Sequence, residues 1–302
     1  MQQYLRPSSF LRRLSTRSVT SSPPVDPPLR RIPGFAYTVE HAYGDVDVDL
    51  ANLPSVVLIH GGPGSHADFR YISGEFAALR SQIPVPSLIR VDLRGYGSSL
   101  PMLETPSAAN LAKALLDGLE ATEGDGPYVL VGHSLGAHVA LEAARQRPEV
   151  VAGLGFVAPV CLSHHYGVRP FFVNRFAGKY STHALLGPLI RAAIDFFYTQ
   201  FGFPASIRLE EKVYTHRRVA ELDWDAARSI AETNDKPWFL AYPRDDHLIE
   251  PTIYEEMADV LGTSRGEGQV VVFDKGGHNI QKSQSYAIVQ SLLEFYDLHW
   301  RK

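Results

Sequence analysis

One cysteine, Cys161, stands in 302 residues, so no internal disulfide and no cysteine-based metal site can form, and the thiol reads as a small buried apolar group. A broad basic surface is missing as well. Lys and Arg number 29 against 33 Asp and Glu, a net charge of −4, and no nucleic-acid motif accompanies it, which excludes a polyanion-binding protein. No hydrophobic run crosses a membrane, because the apolar stretch Ala184 to Phe203 is interrupted by Pro188, Arg191 and Asp195. Nucleotide-binding loops are lacking. His60-Gly61-Gly62-Pro63-Gly64 has neither the Lys and Ser/Thr of a phosphate-binding loop nor the glycine spacing of a dinucleotide fingerprint, so no cofactor is expected.

Acidic residues are absent before Asp26. Met1 to Arg31 holds six Arg against one Asp, a net +5 that leaves −9 for the rest of the chain. Arginine and serine without acids, with Phe10, Leu11 and Leu14 able to share a helical face, suit a mitochondrial transit peptide; a disordered tail is the alternative. Pro23, Pro24, Pro27 and Pro28 read as an extended linker, and the folded part is expected to begin near Ile32. Over its full length the chain is 45% hydrophobic and 21% charged, as a soluble globular protein is.

Strands and helices alternate after that point. Phe35 to Tyr43 and Val46 to Leu50 read as a hairpin around Gly44-Asp45. Ser55 to His60 (SVVLIH) and Val150 to Val160 read as buried strands, and Ser87 to Asp92, Tyr128 to Val131, Pro237 to Tyr242 and Gln269 to Phe273 as further strands. Helices are expected at Phe69 to Ser81, Ser107 to Leu119, after Gly136, at Thr252 to Leu261 and at Ser283 to His299. This order implies an α/β fold with a mostly parallel sheet, whose sites form at the carboxyl ends of the strands. The alternation lapses for about seventy residues after Val160, which marks an insertion.

The chain is organised around Pro127 to Ala144, where a strand meets Gly132-His133-Ser134-Leu135-Gly136 and turns into a helix. A serine at such a tip is strained, needs small neighbours two residues away, and has its hydroxyl lifted clear of the sheet edge. The Leu135 N–H at the helix start can face a developing oxyanion, and the Gly62 N–H can be a second donor. An ordinary serine in a glycine-punctuated turn is the alternative. The loop after PWFLAY brings Asp245 and Asp246 to the same edge, and either can orient a histidine. His278 follows the last strand behind Gly276-Gly277, with the reach a general base needs.

The motifs HGGPG, DLRGYGSS, GHSLGA, DDHLIEP and GGHNIQK, in that order, resemble the α/β-hydrolase superfamily from about Phe35 onward. The resemblance implies an α/β-hydrolase fold over residues 32–302, with residues 162–233 as a helical cap. It implies a triad of Ser134 as nucleophile, Asp246 as acid and His278 as base, Asp245 being the reserve. Gly62 and Leu135 match the oxyanion-hole positions, and Asp92 and Arg94 match a structural loop. The expected chemistry is hydrolysis of a carboxylic ester or thioester through an acyl-enzyme, without metal or cofactor, on a small apolar acyl substrate held by Phe171, Phe172, Phe176, Phe196 and Phe197. HGGPG also resembles prolyl iminopeptidases, whose elbow usually differs at positions 133 and 135. A non-catalytic binding protein on the same scaffold is the reading from another class.

Overall fold

The computed structural model describes residues 27–40, 53–80, 83, 85–102, 104–200 and 203–300. Short β-branched runs form its sheet, since such residues pack well on a pleated surface covered on both sides. The strands are β1 (Arg30–Ile32), β2 (Phe35–Glu40), β3 (Ser55–Ile59), β4 (Leu88–Asp92), β5 (Tyr128–His133), β6 (Val151–Val157), β7 (Trp238–Pro243) and β8 (Gly268–Phe273). They lie in the order β1-β2-β4-β3-β5-β6-β7-β8. β1 with β2 and β2 with β4 are antiparallel, and the remaining pairs are parallel. This is the α/β-hydrolase fold that the sequence implies.

Helices α1 (Arg70–Leu79), α2 (Ala108–Glu123), α3 (Gly136–Gln146), α8 (Pro251–Thr263), α9 (Ile280–Ser283) and α10 (Ser285–His299) surround the sheet. α1 packs on α10 and α2 on α3. The core strands β3, β4 and β5 carry Val57, Ile59, Leu88, Val91, Val129 and Leu130, all buried. The chain leaves β3 for β4 on one side and returns to β5 on the other, so the loops after β3 and β5 diverge at a switch point where a crevice opens.

Four helices separate β6 from β7: α4 (Phe171–Tyr180), α5 (Gly187–Gln200), α6 (Leu209–Ala220) and α7 (Trp224–Glu232). Pro188 falls in the first turn of α5, where its missing N–H costs nothing. The apolar run therefore becomes an amphipathic helix. Ile194 and Tyr198 pack with Val213 of α6 in a small separate cluster, and Lys212 pairs with Asp195 at 2.7 Å. Among the described residues no helix is long and apolar enough to cross a membrane.

One difference from the sequence reading concerns the start of the chain. Arg30 and Arg31, counted there with the leader, are taken into β1 beside β2, and Arg31 donates to the Ser98 hydroxyl. The expected turn at Gly44-Asp45 and strand Val46 to Leu50 lie outside the described residues, as do Met1 to Asp26.

Candidate active site

Ser134 joins β5 to α3 with a φ of 51°, a left-handed conformation that a non-glycine residue holds only when its surroundings fix it. They do so at both backbone groups. Its N–H donates to Val157 O at 3.2 Å, and its carbonyl accepts from Ala137 and Val160 at 3.1 and 3.0 Å. The small neighbours are required by contact: a Cβ on Gly136 would lie 2.3 Å from the Ile59 carbonyl oxygen, and one on Gly132 would lie 2.5 Å from the Ala137 nitrogen. Ser134 Oγ then stands 2.9 Å from His278 Nε2.

His278 reaches this position from the loop behind β8, where Gly277 has a φ of 62°. Its Nδ1 is 2.8 Å from Asp246 Oδ2. Since a carboxylate oxygen accepts, Nδ1 carries the proton and Nε2 is left to accept from the Ser134 hydroxyl. Asp246, behind β7, takes three further donors: the N–H groups of Leu248 and Ile249 at 2.8 and 3.2 Å on Oδ1, and the Tyr254 hydroxyl at 2.5 Å on Oδ2. Burial pushes its pKa up, but His278, Tyr254 and the Leu248 N–H outweigh it and hold the carboxyl at about 2. Of the two aspartates, Asp246 is the one hydrogen-bonded to His278. Asp245 is exposed and accepts instead from the Gly277 N–H at 2.8 Å, bracing the loop that carries His278.

The N–H groups of Gly62 and Leu135 make no hydrogen bond to the described residues, and both residues line the cavity in front of Ser134. His60 fixes the start of the glycine loop. Its Nδ1 lies 2.6 Å from Gly61 O and its Nε2 accepts from the Leu93 N–H at 3.0 Å, in a ring that burial keeps neutral. The loop after β4 is structural, as expected. Asp92 is saturated by His66 and the Ser98 N–H, and Arg94 holds the carbonyls of Leu100 and Pro101.

Three supporting residues were not visible in the sequence. Tyr254 comes from the first turn of α8, and only its spacing after Asp246 hints at it. His133, one residue before the serine, donates from Nε2 to the His278 carbonyl at 3.1 Å; burial and the neighbouring His278 push its pKa down to about 3, so it stays neutral. Arg218 of α6 is buried, donates to the Leu135 carbonyl at 2.6 Å and lies over the Tyr96 ring. It ties α6 to the elbow.

Two hollows meet at Ser134. An inner one of about 80 Å³ lies under α5 and α6 and is lined by Leu135, Val160, Val168, Phe197, Tyr198 and Val219 among others. An outer one of about 450 Å³ is the more polar of the two, with Asp68, Glu211, His247, Asn279 and Lys282 on its walls. The expectation that five phenylalanines form one wall is overturned. Only Phe197 lines the inner hollow; Phe172, Phe176 and Phe196 are 75%, 52% and 66% exposed, and Phe171 packs on His164 and Trp224. Adjacent helical residues point about 100° apart, and here Phe171 and Phe197 turn toward the protein while Phe172 and Phe196 turn to solvent.

A family model described as the alpha/beta hydrolase family matches residues 56–290. The sn-1-specific diacylglycerol lipase ABHD11 of Mus musculus is 35% identical over 114 residues, 37% of this chain and 34% of that protein. The chain thus spans about a third of that relative's length. The monoacylglycerol lipase ABHD6 of Mus musculus is 24% identical over 80% of this chain and 75% of its own. Among solved structures, the haloalkane dehalogenase DbeA of Bradyrhizobium elkani superposes with a TM-score of 0.66 at 22% identity, over 89% of this chain and 96% of that one.

Proposed function

The chain belongs to the alpha/beta hydrolase family, and on that premise we propose that it is a serine hydrolase that cleaves a carboxylic ester or thioester through an acyl-enzyme on Ser134. The observation that carries this reading is the unbroken relay from Ser134 Oγ through His278 to Asp246, at 2.9 and 2.8 Å. Ser134 Oγ attacks the carbonyl carbon while its proton passes to His278 Nε2, and Asp246 stabilises the imidazolium. The N–H groups of Gly62 and Leu135 stabilise the oxyanion. Collapse expels the alcohol or thiol, which takes the proton from His278. Water then repeats the sequence on the acyl-enzyme and frees Ser134.

The apolar inner hollow suits the acyl group and the polar outer one the leaving group. Residues 162–233, with α4 to α7, act as a cap over both. The names of the lipase relatives favour ester substrates. A free amino terminus, which an iminopeptidase must hold, would need a carboxylate in the outer hollow. Asp68 and Glu211 are there, but Glu211 is engaged by Arg208 at 2.6 Å and by the Gly97 N–H at 3.1 Å, and Asp68 by Lys282 at 2.6 Å and by the Ser65 N–H at 3.1 Å. A binding protein without catalysis has no use for a paired serine and imidazole. Dehalogenase or epoxide-hydrolase chemistry, which in this family uses an aspartate at the elbow as nucleophile, is disfavoured because the elbow residue is Ser134.

The test is labelling by a fluorophosphonate probe, which requires an activated serine. Wild type is expected to label at one site and Ser134→Ala not at all; full labelling of the variant overturns the assignment. The composition of Met1 to Arg31 supports mitochondrial import of the full chain, and diffuse cytosolic fluorescence of a fusion would end that part of the reading.

A further inference from the structure

The inner hollow is apolar apart from a few polar side chains, two of which are imidazoles that the folded chain does not satisfy. His165 and His216 are 3% and 7% exposed, and both line the hollow that contains Ser134. His165 Nδ1 lies 3.0 Å from the Leu248 carbonyl oxygen. A carbonyl only accepts, so Nδ1 carries the proton and Nε2 of the neutral ring is a bare acceptor. Burial keeps that ring neutral, with its pKa lowered to about 4. Among the described residues Nε2 meets no donor, although it is buried. His216 comes from α6 and sits edge-on to Phe197 and Tyr198, at 5.9 and 5.8 Å between centroids. Burial lowers its pKa to about 4 as well, and its Nδ1 is buried without a partner among the described residues.

Such atoms are unfavourable in a folded chain, and apolar side chains of similar size would fill the same wall without that cost. Their chemistry is therefore directed at what enters. One imidazole offers a lone pair; the other, neutral, has an N–H as well as a lone pair. A hydroxyl is the small group that donates to the first and accepts from the second. Size sets a further limit, because the inner hollow is small beside the outer one, about 80 Å³ against about 450 Å³.

Resting on the reading of Ser134 as nucleophile, we propose that the acyl group this hollow takes is a short hydroxyacyl chain, whose hydroxyl donates to His165 Nε2 and accepts from His216. The two histidines then act as specificity residues: they touch the substrate away from the reacting carbonyl. A methyl group in place of the hydroxyl leaves both nitrogens unpaired. A site that hydrogen-bonds a substrate hydroxyl rejects the analogue lacking it far more strongly than an apolar pocket rejects one methylene.

The experiment compares esters that differ only in that replacement: p-nitrophenyl 3-hydroxybutyrate against 3-methylbutyrate, and 2-hydroxypropanoate against 2-methylpropanoate. Each kcat/KM is divided by the ester's own rate of hydrolysis by hydroxide. Wild type should favour the hydroxyl ester by at least about tenfold in one pair. His165→Leu and His216→Leu should each bring the ratio to about one. A ratio within one enzyme is independent of how much of it is folded, and the two variants are separate checks. Equal turnover of both members of both pairs by wild type overturns the proposal, as does a hydroxyl preference that survives both substitutions. No turnover of any of the four esters, with Ser134-dependent labelling intact, overturns it while leaving the nucleophile in place. Labelling that does not depend on Ser134 overturns the reading beneath it and this one together.

Discussion

Replacing Asp246 by Asn keeps the shape of the side chain and removes its charge. All four of its hydrogen-bond partners are donors: His278 Nδ1 and Tyr254 on Oδ2, Leu248 and Ile249 N–H on Oδ1. An amide has one accepting end. Turned toward Oδ1, its NH2 would face two fixed backbone N–H groups, so it must turn toward Oδ2. There it faces His278 Nδ1, which can meet it only by giving up its proton. The proton moves to Nε2, the nitrogen 2.9 Å from Ser134 Oγ, and the imidazole can no longer accept from the serine. Loss of the correct tautomer in a triad of this kind lowers kcat about ten-thousand-fold, or roughly 5.4 kcal/mol at 1.36 kcal/mol per decade. Asp245→Asn is the control. Its amide oxygen can still accept from the Gly277 N–H, and the difference between a charged and a neutral acceptor is about 1 kcal/mol, roughly fivefold in rate. Steady-state hydrolysis of a p-nitrophenyl ester, with active sites counted by the acyl-enzyme burst, reads both. A larger loss for Asp245→Asn than for Asp246→Asn would refute the tautomer argument and transfer the acid role.

The same carboxylate predicts an acid stability profile. Its pKa of about 2 in the folded protein lies below the ordinary 3.8, so the ionised form stabilises the fold by about 2 kcal/mol, fully present above roughly pH 4 and lost as pH falls through 2. Urea unfolding at pH 5 and pH 2 should show Asp246→Asn losing less stability than wild type over that interval by about this amount; identical losses would contradict the assigned environment. Gly136→Ala should destabilise by more than about 2 kcal/mol, because backbone oxygen blocks its Cβ. Gly262→Ala, in open space on α8, should stabilise by up to about 1 kcal/mol. Thermal melts that rank the two alike would remove the steric account of the elbow.

What the sequence disclosed follows from how local each signal is. The elbow, the glycine loop behind β3 and the His278 loop are each written in five or six consecutive residues, because backbone conformation there demands glycine at set positions. The central strands were legible for a similar reason: both faces are covered, so SVVLIH and YVLV are continuous apolar runs. Tyr254, Arg218 and His133 escaped because their roles depend on which distant element they meet. The phenylalanines of α4 and α5 failed as pocket residues since composition was read without helical phase. The two aspartates differed only in side-chain direction, a property of the turn behind β7 that neighbouring identical residues cannot express.

Ser134 and His278 are hydrogen-bonded across 144 residues, and the imidazole is carried behind β8, an edge strand that among the described residues pairs only with β7. Contacts between such distant parts of a chain form late, after much loop entropy has been given up. A chain emerging during synthesis can therefore have its elbow built and still be inert, since the base is delivered only when the carboxyl-terminal strand docks. A protease cut that frees β8 would silence the enzyme while leaving the nucleophile in place. On the proposed mechanism, turnover is thus a gauge of whether the whole sheet has closed, and an unfinished chain would carry its serine without the base that arms it.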